Sequence, residues 1–525
     1  MASAASRLNR LADYPHLTAL ALGLVAALGF QPLGLWPLAL LGMGGFFALI
    51  ATRSWRQALL LGWLFGLAHF TFANNWIATA FSYQAQMPAV LGWAAVPLLS
   101  LYLAVYPALA AGFARLVSGR NAGWPLVMAF AGCWIITEWL RGWVFTGYAW
   151  DPFGIVLLGG YSSPGLAALA PWTGTYALSG LAVLLACAAA QLLREKHMVP
   201  LGICTALVTA GMFLPAGELR QSELRYTLVQ PDIRQDVLNE PAHYYDNFRK
   251  AANLSYPAEP GQRRIVFWPE SGIREYLEDG YPQRVYENYN VLADPLLTRQ
   301  SIARMIGPGS VIVTGTNDLY FGDDGSLEGA GNVVKAVNDR GEIVGSYAKA
   351  HLVPFGEYLA LRWLLEPLGA TRLVPGTLDF VPGPGPQTLD LGEEWGRVGV
   401  QICYEIVFSG NVVDRDNRPD FIYNGSNDGW FGSFGPPQHL AQARLRAIEE
   451  GLPVLRATTT GISAVIDADG VVRSHIPQHV AARLDGFVPQ ARSPTAFSQL
   501  GNLLPLGWAL ILLAVAVIAT RRSYR

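Results

Sequence analysis

Residues 265–272 are IVFWPESG, an apolar run of branched and aromatic side chains that ends at a proline and a glutamate. Such a run is typical of a buried β-strand. Two further stretches have the same design, SYAKAHLVPFGEY at 346–358 and VGVQICYEI at 398–406. Each run leads to one reactive residue, in chain order Glu270, Lys349 and Cys403. Because sites in open α/β sheets gather beyond the strand ends, we expect these three side chains to lie together.

More β-rich runs follow across residues 220–495, and helical periodicity lies between some of them, as in QHLAQARLRAIEE at 438–450. The run NVVKAVNDRGEIVGSYAK predicts a hairpin whose turn is DRG at 339–341. Many strands with interspersed helices predict a layered α/β domain with helices outside the sheet. The predicted strands lie in RYTLVQ, RRIVFWPE, SVIVTGTND, NVVKAVND, EIVGSYAK, RVGVQICYE, DFIYNGSND, PVLRATTT and SAVIDADG.

The remainder of the chain has the composition of a membrane protein. Hydrophobic residues make up 52% of the chain and charged residues 14%, whereas soluble domains have about 25% charged residues. Between His16 and Glu218 only ten residues are Asp, Glu, Lys or Arg. Most of the apolar stretches approach the about twenty residues that a helix needs to cross a bilayer. We predict eight spans, at 17–32, 34–52, 57–81, 88–117, 123–143, 166–193, 198–216 and 503–520.

Positive charge alternates between the loops. The loops after the second, fourth, sixth and eighth stretches carry Lys or Arg, as does the N-terminal segment, whereas those after the first and third carry none. Because positive residues stay in the cytoplasm, both termini are predicted to be cytoplasmic and the α/β block extracytoplasmic. The predicted domains are therefore 1–219, 220–495 and 496–525. The charges that support this topology are Arg7, Arg10, Arg53, Arg56, Arg115, Arg120, Arg194, Lys196, Arg521, Arg522 and Arg525.

Charge and cysteine usage exclude other classes of function. A formal net charge of -2 and the lack of a dense basic stripe argue against nucleic-acid binding. The His residues have no metal-binding spacing beyond His475 and His479, which flank a proline-containing loop, so we expect neither a metal nor a cofactor. Cys403 is the only cysteine of the α/β block and is expected to be a free thiol.

A thiol, an ammonium and a carboxylate together can carry an acyl group. A free thiol has a pKa of about 8.5 and is a poor nucleophile at neutral pH. The Lys349 ammonium is expected to lower that pKa and to neutralise the oxyanion formed when a carbonyl is attacked. The Glu270 carboxylate can take the thiol proton and later deprotonate an incoming amine.

The motifs FWPES, YAKAHLVPFGEY and GVQICYEI closely resemble, in this order, the three signature regions of the nitrilase (carbon–nitrogen hydrolase) superfamily. The eight-span layout resembles a membrane-embedded, acyl-transferring branch of it. This resemblance implies an αββα sandwich inserted in an eight-helix transmembrane bundle. It also implies that Glu270 is the general base, Lys349 the catalytic lysine and Cys403 the nucleophile. Glu357 would be a second essential carboxylate, and Tyr404 and Glu405 would flank the nucleophile. The backbone N–H of Tyr404 is expected to complete the oxyanion site.

The same resemblance implies the substrates and the location. The donor would be a membrane phospholipid, and the acceptor would be the α-amine of the N-terminal diacylglyceryl-cysteine of an apolipoprotein. The acyl group would travel as a Cys403 thioester. We expect a monomer in the inner membrane of a bacterium, with the catalytic domain in the periplasm.

Substrate contacts are predicted in three places. The apolar loops 358–369 and 429–437 are expected to cover the thioester and touch lipid, through Trp363, Leu364, Leu365, Trp430, Phe431 and Phe434. Asn427 and Asp428 follow a strand and are expected to line the pocket. Glu138 and Arg141 are three residues apart and share a helix face. They are expected either to form an ion pair that anchors the end of the helix, or to contact the donor headgroup or brace the domain.

Two other functions remain open from the residues alone. A membrane-tethered amidase would use the same three groups to hydrolyse amides, but it gains little from eight spans. A transporter with an extracytoplasmic sensing domain would need polar residues along its spans. Four of the predicted spans, at 17–32, 34–52, 166–193 and 198–216, have almost none.

Overall fold

The computed structural model describes residues 13–83, 90–365, 367 and 379–523. The topological residues Arg7, Arg10 and Arg525 lie outside these ranges, as does most of the segment 366–378. The described chain begins with a helical region, continues as a two-sheet α/β region, and ends in one further apolar helix.

The helical region contains nine α-helices among the described residues. They are α1 Pro15–Ala27, α2 Trp36–Ile50, α3 Trp55–Ala73, α4 Ile77–Ala80, α5 Val90–Leu103, α6 Val105–Ser118, α7 Trp124–Arg141, α8 Ala170–Arg194 and α9 Met198–Met212. Short 3-10 helices follow or precede some of them, at Phe81–Tyr83, Phe153–Leu157 and Leu166–Leu169.

Each of the predicted apolar stretches contains helix. In the described ranges, three helical segments have the length and hydropathy to cross a membrane: Val90–Ser118, Leu166–Arg194 and Leu503–Arg522. Three shorter apolar helices have 10–17 residues: Pro15–Ala27, Trp36–Ile50 and Met198–Met212. Large exposed apolar side chains such as Val199, Leu207 and Leu510 on these helices indicate that lipid rather than water surrounds them.

The α/β region contains two six-stranded sheets. The first has the order β12-β1-β2-β3-β4-β5 and the second the order β11-β10-β9-β8-β7-β6. The strands are β1 Gln221–Gln230, β2 Ile265–Phe267, β3 Val311–Phe321, β4 Leu327–Asn338, β5 Ile343–Ala348, β6 Thr388–Asp390, β7 Arg397–Ile402, β8 Phe421–Ser426, β9 Val454–Thr458, β10 Ser463–Ile466, β11 Val472–Ile476 and β12 Ala482–Pro489.

All nine predicted runs contain strands, and β4 pairs with β5 in the predicted hairpin. The sequence patterns missed β6, β11 and β12, which are edge strands of the two sheets. These strands carry charged and polar residues, so they lack the apolar run that marks a buried strand.

The remaining helices surround the sheets. They are α10 Gln235–Leu238, α11 Tyr244–Asn253, α12 Gln283–Tyr289, α13 Pro295–Ile306, α14 Arg362–Leu365, α15 Gly435–Glu450, α16 Ala496–Leu500 and α17 Leu503–Ser523. Further 3-10 helices lie at Pro241–His243, Cys403–Val407 and Asp428–Phe431.

The two sheets pack face to face around a shared apolar core that includes Phe267, Val313, Val400 and Tyr423. Side chains of α11 and α13 cover the outer face of the first sheet. Helix α15 covers the outer face of the second sheet, and its other side packs into the core of the helical region. The predicted αββα sandwich is therefore present, and α15 is one of the elements that join it to the helical region.

Candidate active site

Glu270 lies just beyond β2, at the edge where the parallel strands of the first sheet end. Its carboxylate is 7% exposed. Oε1 accepts a hydrogen bond from Asn332 Nδ2 at 2.7 Å, and Oε2 accepts one from the backbone N–H of Asn427 at 2.8 Å. Because Asn427 follows a strand of the second sheet, these bonds hold Glu270 between the two sheets.

Lys349 follows β5, and its backbone N–H donates to the carbonyl of Asn332 on β4. Its Nζ is 2.9 Å from Glu357 Oε1 and 3.6 Å from Glu270 Oε1. Asn332 Nδ2 also donates to Glu357 Oε1 at 3.0 Å. The Val353 N–H donates to the other oxygen of Glu357 at 2.8 Å. Asn332 and Lys349 therefore join the two carboxylates into one buried network.

Charge balance keeps Lys349 protonated. Its side chain is 1% exposed, and burial alone would lower the pKa of the ammonium. The carboxylates of Glu357 and Glu270 outweigh burial, and the pKa of Lys349 is raised above its ordinary value. A fixed positive charge therefore stands beside the thiol, which is the requirement for stabilising an oxyanion.

Cys403 begins the tight 3-10 helix Cys403–Val407 at the end of β7, with φ at +49°. A non-glycine residue in this left-handed region is strained by roughly 1–3 kcal/mol. Glu405 supports the turn, because its Oε2 accepts from the Ile402 N–H at 2.8 Å. Its Oε1 accepts from the N–H groups of Ala350 and His351 at 2.7 and 3.1 Å. Glu405 thus ties the cysteine turn to the lysine loop.

The thiol is not ionised at rest. Cys403 is 5% exposed, and burial raises the pKa of its thiol. The Glu270 carboxylate raises it further, and Lys349 lowers it by less than these two effects combined. The Lys349 ammonium lowers the thiol pKa, as expected, but burial and the Glu270 carboxylate outweigh it. The thiol needs a base at the moment of attack, and Glu270 is the neighbouring carboxylate.

A second cluster of buried polar and charged side chains lies on the α15 side of Cys403. His439 on α15 donates through Nε2 to the Cys403 carbonyl at 3.1 Å. Arg456 on β9 contacts His439 Nδ1 at 2.9 Å and both carboxylate oxygens of Asp428 at 2.8 and 2.7 Å. The side chains of all three residues are 0% exposed. The arginine and aspartate charges are paired with each other, which is required because an unpaired buried charge is costly.

Asn427 and Asp428, which were predicted to line the pocket, make hydrogen bonds to named groups of the site. Asn427 orients Glu270 through its backbone, and its side-chain Nδ2 donates to Gln235 at 2.7 Å. Asp428 faces Arg456 and His439 beneath the turn. Tyr404 is buried, and its hydroxyl donates to the Gly147 carbonyl at 3.4 Å.

The two apolar loops differ in their surroundings. Phe431 meets Trp76 edge to face, with ring centroids 4.8 Å apart. Trp430 approaches Tyr83 at 5.9 Å, and Phe434 approaches Phe72 at 6.3 Å. The second loop therefore packs against the helical region.

The first loop exposes two apolar side chains among its described residues. Trp363 is 77% exposed and Leu364 is 45% exposed. Leu365 belongs to α14, but its side chain lies outside the described parts. Residues 366 and 368–369 of the predicted lid also lie outside the described ranges.

Glu138 and Arg141 are buried at the end of α7, 3.8 Å apart. Glu138 Oε1 accepts from the Phe153 N–H at 2.8 Å. Arg141 donates to the carbonyls of Tyr148 and Trp150 at 3.0 and 2.7 Å. Their bonds therefore hold the loop after α7.

Sequence reasoning missed Asn332, His439 and Arg456. Each could have been noticed in the sequence as a polar or charged residue inside an apolar strand or a helix pattern. Such a residue has to be paired if it is buried. Arg456 in PVLRATTT and Asn332 in GNVVKAVND are of this kind. Among the described residues, no group of three or more His, Cys, Asp or Glu side chains is arranged to hold a metal.

Two facing sheets with a buried glutamate, lysine and cysteine at their common edge define a domain of the carbon–nitrogen hydrolase class, and the family model "Carbon-nitrogen hydrolase" matches residues 227–480. The model "Apolipoprotein N-acyltransferase N-terminal domain" matches residues 22–188.

Curated relatives extend this likeness over nearly the whole chain. The apolipoprotein N-acyltransferase of Rhodopseudomonas palustris is 31% identical, over 96% of this chain and 95% of its own length. That of Bradyrhizobium diazoefficiens is 33% identical, over 96% and 94%. That of Vibrio cholerae is 30% identical, over 97% of each. The chain belongs to the apolipoprotein N-acyltransferase family.

Proposed function

We propose that this chain transfers a fatty acyl group from a membrane phospholipid to the α-amine of the N-terminal diacylglyceryl-cysteine of an apolipoprotein. Family membership supports the reaction class. The observation that carries the proposal is the position of Lys349, held as a cation between Glu270 and Glu357 beside a buried, free Cys403.

In the first half-reaction, Glu270 takes the Cys403 proton while the sulfur attacks the ester carbonyl of the donor. Lys349 and the Tyr404 N–H stabilise the tetrahedral oxyanion. When the C–O bond breaks, the proton on Glu270 passes to the leaving glycerol oxygen. A lysophospholipid departs, and the acyl group remains as a Cys403 thioester.

In the second half-reaction, the acceptor amine attacks the thioester carbonyl and Glu270 removes a proton from its nitrogen. The same oxyanion donors stabilise the intermediate. The C–S bond then breaks, the amide product leaves, and the proton on Glu270 returns to the Cys403 sulfur. Glu357 acts by holding Lys349 and, through Asn332, Glu270.

The membrane arrangement belongs to the same proposal. All eight apolar stretches would span the inner membrane of a bacterium, with both termini cytoplasmic and the 220–495 block in the periplasm. The alternation of Lys and Arg between the loops supports this topology. The domain limits 1–219, 220–495 and 496–525 follow from it, and a single copy contains the complete set of proposed groups.

Lipid contacts would come from the two apolar loops. Trp363 and Leu364 are exposed on the loop after Glu357 and would meet acyl chains directly. Trp430, Phe431 and Phe434 would shape the wall between the site and the helical region, where they already contact its aromatic side chains. Glu138 and Arg141 would brace the loop between α7 and α8 rather than bind the headgroup, because both are buried and bonded to that loop.

Mass spectrometry of the purified protein tests the reaction. Incubation with phospholipid alone should add the mass of one acyl chain at Cys403 and release one lysophospholipid. Addition of a diacylglyceryl peptide should remove that mass and yield the N-acylated peptide. A membrane-tethered amidase would instead consume amides without a stable lipid thioester, and a transporter would show no acyl-enzyme.

A further inference from the structure

We infer that His439 is a positioning residue for the oxyanion site: its bond to the Cys403 carbonyl fixes the direction of the Tyr404 N–H. The inference rests on the proposed function, because it concerns the oxyanion formed during attack by Cys403. It begins with the proton on His439.

The contacts of His439 determine which nitrogen carries its proton. A carbonyl oxygen only accepts hydrogen bonds, so Nε2, which is 3.1 Å from the Cys403 carbonyl, must be the N–H. Burial and the Arg456 charge lower the pKa of His439 to about 4, so the ring is neutral at physiological pH. Nδ1 is then an acceptor, and Arg456 donates to it at 2.9 Å. Asp428 Oδ1 also lies 3.1 Å from Nδ1, but it accepts its hydrogen bonds from Arg456 and from the Ser426 hydroxyl.

Arg456, which Asp428 holds in place, keeps this tautomer, because an arginine can only donate to Nδ1. Arg456 uses one nitrogen to contact both oxygens of Asp428 as well as His439. It also donates to Asn424 on the neighbouring strand. The arginine position is therefore fixed from two sides, and it cannot turn away from the imidazole without leaving a buried charge unpaired.

The Cys403–Tyr404 peptide unit links the His439 hydrogen bond to the direction of the Tyr404 N–H. The Cys403–Tyr404 peptide is trans, so its C=O and N–H point in opposite directions within one plane. His439 draws the carbonyl toward α15, and the N–H must then point away from α15. The Cys403 side chain lies in the core between the sheets, on the side opposite α15, whereas Tyr404 packs on the α15 side.

The Tyr404 N–H is thereby directed to the face of the turn that holds Cys403. It belongs to the first turn of Cys403–Val407, and the first N–H groups of a helix have no acceptor within that helix. Rotation of the 403–404 peptide would turn this donor away from the oxyanion. Because φ of Cys403 is positive, the turn itself is strained, and the His439 bond stabilises it.

Two variants of His439 differ in whether the side chain is long enough to reach the Cys403 carbonyl. In His439→Gln, the side-chain amide can donate to the Cys403 carbonyl and accept from Arg456. In His439→Asn, the amide is one methylene shorter, so it can still pair with Arg456 but does not reach the carbonyl. Both keep the buried arginine paired, which makes them a matched pair for folding.

The experiment compares two reactions of Cys403 in the full-length protein. The first is single-turnover thioester formation with phospholipid, which forms an oxyanion. The second is alkylation by iodoacetamide, which forms none. We expect His439→Gln to retain thioester formation within about fivefold. We expect His439→Asn to lose about 10²-fold, the effect of removing one oxyanion donor, with alkylation unchanged within about threefold.

Other outcomes overturn the inference. Equal thioester rates in the two variants, or alkylation that falls in parallel with thioester formation, would assign His439 a purely structural role. If Cys403→Ala still forms acyl-enzyme, the proposed function itself fails. If acyl-enzyme depends on Cys403 while both His439 variants behave as wild type, only the role of His439 is lost.

Discussion

The two sheets contribute unlike halves to the candidate site. The half on the first sheet consists of Glu270, Asn332, Lys349 and Glu357, and it places a cation between two carboxylates at the reacting edge. The half on the second sheet consists of Cys403, Asp428, His439 and Arg456, and its ion pair lies beneath a neutral histidine and a neutral thiol. The first half thus holds the charged groups of the site. The second holds Cys403, the proposed nucleophile, in a strained turn.

The largest effect is expected from removing the nucleophile. Cys403→Ala should abolish acyl-enzyme formation and reduce transfer by roughly 10⁴-fold or more. Cys403→Ser should also be inactive, because an alcohol is far less acidic than a thiol and the first half is tuned for sulfur. Both variants should fold, since the change in volume is small. Near-normal transfer by Cys403→Ala, measured with a diacylglyceryl peptide, would refute the mechanism.

Glu270→Gln is expected to change the acidity of the Cys403 thiol and the rate of acyl transfer in opposite directions. The Glu270 carboxylate raises the pKa of the Cys403 thiol, whereas Lys349 lowers it. Loss of the carboxylate should therefore shift the iodoacetamide rate profile to lower pH, with faster alkylation at pH 8. Transfer should nevertheless fall by about 10²–10⁴-fold, because the general base is gone. An alkylation profile shifted to higher pH would contradict this account of the thiol pKa.

Lys349→Met removes the cation from the first half. We expect transfer to fall by about 10²–10³-fold and alkylation of Cys403 to slow, because Lys349 lowers the thiol pKa. Two buried carboxylates remain without their cation, so the free energy of unfolding should fall by about 3–5 kcal/mol.

Lys335→Met is the matched control for this loss. Lys335 is equally buried, 2.7 Å from Asp318, and lies on the same strand as Asn332. It should lose comparable stability while the folded fraction keeps normal transfer. Equal losses of transfer in the two lysine variants, each corrected for folded fraction, would mean that Lys349 acts through stability alone.

The smallest effects are expected from the two apolar loops, one attached to each half. Trp363 is exposed, so Trp363→Ser should leave the melting temperature unchanged and speed loss of the acyl group to water by a few-fold. Phe434 packs against Phe72, so Phe434→Ser should lower the melting temperature as well. The measurement is decay of isolated acyl-enzyme without acceptor. Decay rates equal to wild type in both variants would leave these loops as scaffold.

Much of the first half was predictable. Glu270 and Lys349 each follow an apolar run, and the rule that sites lie beyond strand ends placed them near Cys403 before any coordinates were known. The hairpin of β4 and β5 was also evident, and it brings Lys349 beside Asn332. Asn332 itself was missed, since an amide inside a strand shows no function until its partners are known.

In the second half, the sequence pointed to Cys403 and Asp428. His439 and Arg456 lie 36 and 53 residues beyond Cys403, on a helix and a strand that the sequence predicted without relating them to the thiol. The sequence indicated that Lys349 lowers the thiol pKa but not that burial and Glu270 raise it by more, because burial and the approach of Glu270 are three-dimensional quantities.

The sequence by itself determined nine of the twelve described strands, the apolar helices and the candidate residues Glu270, Lys349 and Cys403. Hydrophobic periodicity, turn residues and motif spacing are local properties of the chain. Only the tertiary structure decided the pairings: Asn332 with two carboxylates, and Arg456 with Asp428 and His439. The physical reason is that a buried polar group is stable only with its partner. Which partner it meets depends on how two distant sheets and α15 pack, and no local pattern records that contact.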